Sequence, residues 1–155
     1  MTQQTPQHII CAVRGKPYSR ETATGAIDLA LETGARLTFF YVADVEFLDH
    51  ATVGPLSVVY HEMVEMGKFT MMVLCDRAER RGVKEVDYIV RQGNFLEQLH
   101  LLVAEAEADM LVIGRPTRGP GLKMFGPAEF DAFVAKLERD FNLRVVQVTP
   151  SDGDR

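Results

Sequence analysis

"ADMLVIG" (108–114) runs directly into "GRPTRGPGLKMFG" (114–126). The first is a short, nearly continuous apolar run, the mark of a strand covered on both faces. The second holds four glycines, two prolines and three basic residues, with no acid. Long loops on a rigid scaffold are where function concentrates. The length of this loop also bears on strand order, once the other elements are placed.

The chain begins with a second buried strand, "HIICAVR" (8–14). "GKPYS" is a turn, and Ser19 can cap the helix that follows. Ala23, Ile27, Ala30 and Leu31 recur there at helical spacing, and Gly34 stops the helix. "RLTFFYVAD" (36–44) is rich in aromatic and β-branched residues, as strands are. The loop "VEFLDHATVGPL" leads to a long helical pattern from Ser57 to about Arg81. Val59, Met63, Met66, Thr70 and Val73 form its expected buried stripe, widened by Phe69 and Met72. Gly67 interrupts that pattern, and Gly82 ends it. "VKEVDYIVRQG" (83–93) is a third strand, with Asn94 as cap of the next helix. Phe95, Leu96, Leu99, Leu102, Val103 and Ala106 make that helix's inner face. The fourth strand spans 109–114. Beyond the glycine-rich loop, Phe130, Phe133, Val134, Leu137 and Phe141 mark a last helix, and "LRVVQVT" (143–149) a fifth strand.

Strict alternation of strand and helix predicts an α/β fold: a doubly wound, five-stranded parallel sheet with helices on both faces, Rossmann-like. Crossovers are right-handed, so the sheet winds one way and then reverses. Ligands bind beyond the carboxyl ends of the strands at that reversal. Order 3-2-1-4-5 puts it between strands one and four; order 2-1-3-4-5 puts it between strands one and three. The third strand is followed only by "RQGN", the fourth by the long loop. The expected order is therefore 3-2-1-4-5, with "RGKPYSR" facing "GRPTRGPGLKMFG".

The 155 residues fit one domain, 1–155. The net charge of −5 argues against a nucleic-acid binder. No apolar run is long enough for a membrane span, and "MTQQTPQHIICAV" lacks the features of a signal peptide. Cys11 and Cys75 sit in separate apolar segments and read as buried thiols in a reducing compartment. The expected location is the cytoplasm.

Within this acidic chain the two loops are locally basic. Arg14, Lys16 and Arg20 lie on the first, Arg115, Arg118 and Lys123 on the second, and no acid falls between 9 and 20 or between 110 and 128. Arginine and lysine give charge-assisted hydrogen bonds to phosphate oxygens, and glycine-rich backbone lets N–H groups approach an anion. The candidate site is an anion pocket for a phosphorylated small molecule. It comprises Val13, Arg14, Gly15, Lys16, Val42, Gly114, Arg115, Thr117, Arg118, Gly119, Gly121, Lys123 and Gly126. The Walker and dinucleotide glycine patterns are both absent.

"HIICAVRGKPYSRETATGAIDLALETGARLTFFYVAD", "FLEQLHLLVAEAEADMLVIGRPTRG" and the closing "LRVVQVTP" resemble the universal stress protein family. The resemblance implies a nucleotide-binding domain of order 3-2-1-4-5, generally dimeric, some of whose members bind ATP. ATP-binding members carry Asp at the end of strand one, where this chain has Arg14. They also carry Gly, two residues, Gly, nine residues, Gly and then Ser or Thr after strand four. Here Gly114 matches, Thr117 replaces the second glycine, Gly126 arrives one residue early, and Pro127 follows it. Proline offers no N–H or hydroxyl, and a guanidinium cannot accept a hydrogen bond. Losing two such contacts costs ~2–4 kcal/mol, a ~30- to 1,000-fold weakening of ATP binding. An adenine nucleotide, ATP or AMP, is the implied cofactor, with no metal.

His61 and Glu65 share one helix face without a third ligand, and a solvated face explains them better. Tyr18, Ser19 and Thr22 lack an activating base, so no catalytic residue is assigned. Met63, Met66, Met71 and Met72 can make a partner surface, although core packing explains the inward ones more simply; Met71, off the main stripe, is the better interface candidate. Strand 143–149 is an apolar edge that invites pairing with a second copy into a homodimer. The expected function is a stress-protein-like binding or sensor module. An enzyme hydrolysing ATP or transferring its adenylyl group is the alternative, with Asp44 its nearest carboxylate. An interaction module with an empty pocket is a third.

Overall fold

A computed structural model describes residues 5–13, 19–44, 56–114 and 127–148. Its elements are β1 (His8–Val13), α1 (Ser19–Thr33), β2 (Arg36–Asp44), α2 (Leu56–Arg81), β3 (Val86–Gly93), α3 (Phe95–Ala106), β4 (Met110–Gly114), α4 (Pro127–Phe141) and β5 (Arg144–Val148). All strand pairs are parallel, in the order β3-β2-β1-β4-β5. The α/β class and the expected order both hold. β3 starts at Val86 rather than at residue 83, because Val83 is spent burying the turn that leaves α2.

β1 is buried from Ile9 to Val13 because it has a strand on each edge and a helix layer on each face. Its alternate residues serve two cores. Ile9, Cys11 and Val13 pack with Ala23, Ala26 and Ile27 of α1 and with Met71, Leu74 and Ala78 of α2. Ile10 and Ala12 pack with Phe95, Leu99, Leu102 and Val103 of α3 and with Phe130, Val134 and Leu137 of α4. The apolar positions expected for α3 and α4 therefore face the sheet. Asn94 caps α3 as expected, its side-chain oxygen accepting from the Glu97 N–H at 3.0 Å. Leu31 of α1 departs from its expected stripe and is partly exposed.

The long helix corrects two expectations. It runs unbroken through Gly67, and it is turned the other way. Val64, Gly67, Met71, Leu74 and Ala78 face the sheet, while Met66, Phe69, Thr70, Met72 and Val73 face outward. Met71, expected as a partner surface, is fully buried. The reason lies at Gly67. A β-carbon there would overlap the Tyr41 ring of β2, so only a side-chain-free turn lets α2 close on the sheet. Hydrophobic periodicity weighs apolar size and is blind to such an approach.

Gly67→Ala should therefore destabilise the protein by ~1–3 kcal/mol through overpacking, although alanine gains up to ~1 kcal/mol of helix propensity over glycine. In a Tyr41→Ala background the same change should become neutral or stabilising. Chemical denaturation of the four proteins in that cycle measures both effects.

Candidate anion-binding edge

Ala12 stands opposite Ile113, so β1 and β4 end side by side. On the other side Val13 pairs with Tyr41, and Val42 follows on β2. Val13 and Val42 are buried in opposite core layers, and Gly114, at the end of β4, is partly exposed. Each helix follows a strand of a parallel sheet and runs back along it. The N-termini of α1 and α4 therefore lie at this same carboxyl edge. Helix N-termini carry unpaired N–H groups and partial positive charge, which favour anions.

Gly114 has a packing role beside its expected one. A β-carbon added to it would lie 2.9 Å from Thr22 Oγ1 of α1. Thr22 is only 3% exposed, and its carbonyl accepts from the Cys11 thiol at 3.9 Å. The start of α1 thus lies against the ends of both central strands. Of the candidate site residues, Val13, Val42 and Gly114 fall within the described residues and gather at this edge. Arg14, Gly15, Lys16, Arg115, Thr117, Arg118, Gly119, Gly121, Lys123 and Gly126 lie outside them, as do the side chains of Asp44 and Ser19.

The opposite, amino edge holds a polar cluster that sequence reasoning missed. Thr38 Oγ1 donates to Asp87 Oδ1 at 2.6 Å, and Arg36 donates to Asp87 Oδ2 at 2.6 Å. His8 Nε2 and Thr38 Oγ1 are 2.8 Å apart. The hydroxyl's one proton goes to the carboxylate, so His8 Nε2–H donates to Thr38. Asp109 accepts from the backbone N–H groups of Gln7 (2.8 Å) and His8 (3.0 Å), tying the start of β4 to that of β1. These residues are dozens of positions apart, and only strand register brings them together. Burial, helped by the nearby Arg36 charge, lowers the His8 pKa. Burial alone would raise that of Asp87, but hydrogen bonds from Thr38 and Arg36 hold it below the usual carboxylate range.

Both cysteines are free thiols whose pKa is raised. Burial pushes Cys11 up, and pushes Cys75 to about 11 with help from Asp87 and Glu79. Glu65 pairs with Lys68 at 3.5 Å on an exposed face. No group of three or more His, Cys, Asp or Glu that could hold a metal ion occurs among the described residues. Nor, among them, is any helix long and apolar enough to cross a membrane.

The sequence profile of the universal stress protein family matches residues 6–127. No curated protein matches the chain. Several solved structures share the fold. The universal stress protein UspA from Lactobacillus plantarum is 18% identical, with a TM-score of 0.73 over 94% of this chain and 99% of its own. A universal stress protein family member from Burkholderia pseudomallei is 20% identical, with a TM-score of 0.66 over 97% and 100%. A universal stress protein crystallised in complex with cAMP is 18% identical, with a TM-score of 0.59 over 96% and 100%.

The His8 cluster predicts acid sensitivity. With its folded pKa below the ordinary 6.5, the unfolded chain binds the His8 proton more readily. Stability is then full above pH 6.5 and falls as pH drops through that value towards the folded pKa, by no more than ~1.4 kcal/mol per pH unit. Asp87, with a lowered pKa, adds a second loss below 3.8. His8→Asn should remove the first decline and leave the second. Denaturation midpoints from about pH 2 to about pH 8, at ~0.1 M salt, check it.

Proposed function

Because this chain belongs to the universal stress protein family, we propose that it is a binding or sensor module for an adenine nucleotide or another phosphorylated anion. The guest lies beyond the carboxyl ends of β1 and β4. The observation that carries this reading is the pairing of Ala12 with Ile113. It brings the two locally basic loops, with Arg14, Lys16, Arg115, Arg118 and Lys123, out of adjacent strand ends. The N-termini of α1 and α4 add a favourable dipole from either face of the sheet. That one protein of this fold was crystallised with cAMP supports an adenine nucleotide as the guest.

Arg14 and Pro127 stand where ATP-binding members offer acceptor and donor groups, so ATP is held weakly for the family. The arginines instead favour guests recognised chiefly by charge. The same reading includes a homodimer joined through β5. That strand is the edge of the sheet, pairs only with β4 among the described residues, and carries Val145, Val146 and Val148.

Heats of binding and phosphate release with ATP, ADP and AMP, with and without Mg²⁺, test the proposal. Binding without phosphate release is expected, weakened at least ~10-fold by the Arg14→Ala, Arg118→Ala double change, about 1.4 kcal/mol. Phosphate release that disappears in the variant would make the protein an enzyme. No heat with any of the three, in low salt, would contradict the nucleotide reading.

A further inference from the structure

The outward face of α2 repeats at a strict heptad. Glu62, Met66, Phe69, Val73, Asp76 and Arg80 are spaced four, three, four, three and four residues apart, the seam of a helix that packs on another helix. The sheet does not use this seam: α2 packs on β2 and β3 with Met71, Leu74 and Ala78 in the shared core, and Val64 is buried on the same side. Met66 is 72% exposed and Phe69 68%, and Met72, Val73 and Val58 are at least half exposed. Together they present about 500 Å² of apolar side chain, a patch at the upper end of what soluble monomers show.

We propose that this seam binds the same seam of a second copy, with the two helices antiparallel. Charge selects both the occupant and the direction. In an antiparallel heptad pair, Phe69 meets Val73 of the second copy and Val73 meets its Phe69. Glu62 then meets the Arg80 of the other copy at each end of the contact. Met66 lies over the Asp76–Arg80 ion pair, which is 2.9 Å long within each helix. A parallel pair would instead set Glu62, Asp76 and Arg80 against their own like charges, which is unfavourable. The two patches together can bury at most ~1,000 Å², the lower bound for a specific interface, so the association is weak and concentration-dependent.

This contact is separate from any pairing of β5. α2 covers the β2–β3 side of the sheet, and β5 forms the opposite edge. It also does not depend on what fills the carboxyl edge.

Sedimentation equilibrium over a concentration series reads the test. Phe69→Glu, Glu62→Arg and Arg80→Glu should each weaken one self-association step at least tenfold. All three sites are exposed, so thermal unfolding should show the folded state retained. Mixing Glu62→Arg with Arg80→Glu in equal amounts restores opposite charges at both ends and should restore that step. Self-association unchanged by Phe69→Glu, or not restored in the mixture, would overturn the proposal. So would wild-type protein that shows no association step sensitive to any of the three changes.

Discussion

The architecture depends on β1 being paired on both edges. Its backbone bonds to β2 on one side and β4 on the other, and its side chains alternate between two helix layers. No residue from Ile9 to Val13 reaches solvent to any extent, so the strand must be apolar throughout. The same placement fixes where the winding reverses. Right-handed crossovers carry the chain outward through β2 and β3, then back past β1 to β4 and β5. α1 and α2 fall on one face and α3 and α4 on the other. The chain therefore leaves the adjacent ends of β1 and β4 towards opposite layers, to α1 on one face and to α4 on the other.

The two ends of the sheet differ in kind. At the amino edge, polar groups satisfy one another: Asp87 accepts hydrogen bonds from Thr38 and Arg36, and Asp109 accepts from the N–H groups of Gln7 and His8. That cluster is closed and offers a ligand little. At the carboxyl edge, Val13 and Gly114 end on the side of the sheet where α1 and α4 begin. Thr22 against Gly114 sets how closely α1 approaches the end of β4. The amino end holds strands in register, and the carboxyl end is where the proposed guest would lie.

Much of this was readable from the chain. Buried parallel strands are apolar runs, and α3 and α4 carry one apolar face each, so pattern and structure agree. The strand order followed from loop length, because β3 runs almost directly into α3, with Asn94 alone between them, while a long segment follows β4. α2 was misread because it carries two apolar seams with the same period. Which seam turns inward is decided by Tyr41 against Gly67, a contact between residues 26 positions apart that no local pattern records. The His8–Thr38–Asp87 chain was invisible for the same reason. Those residues become neighbours only when Ile10 lines up with Thr38 and Thr38 with Asp87.

Backbone amide hydrogen exchange, compared with and without an excess of adenine nucleotide at low salt, tests the central claim most directly. The account predicts new protection confined to the carboxyl ends of β1 and β4 and to the first turns of α1 and α4. The amides of His8, Thr38 and Asp87 should be unchanged. Protection centred on the amino edge, or spread evenly over the sheet, would contradict a site built where β1 and β4 part.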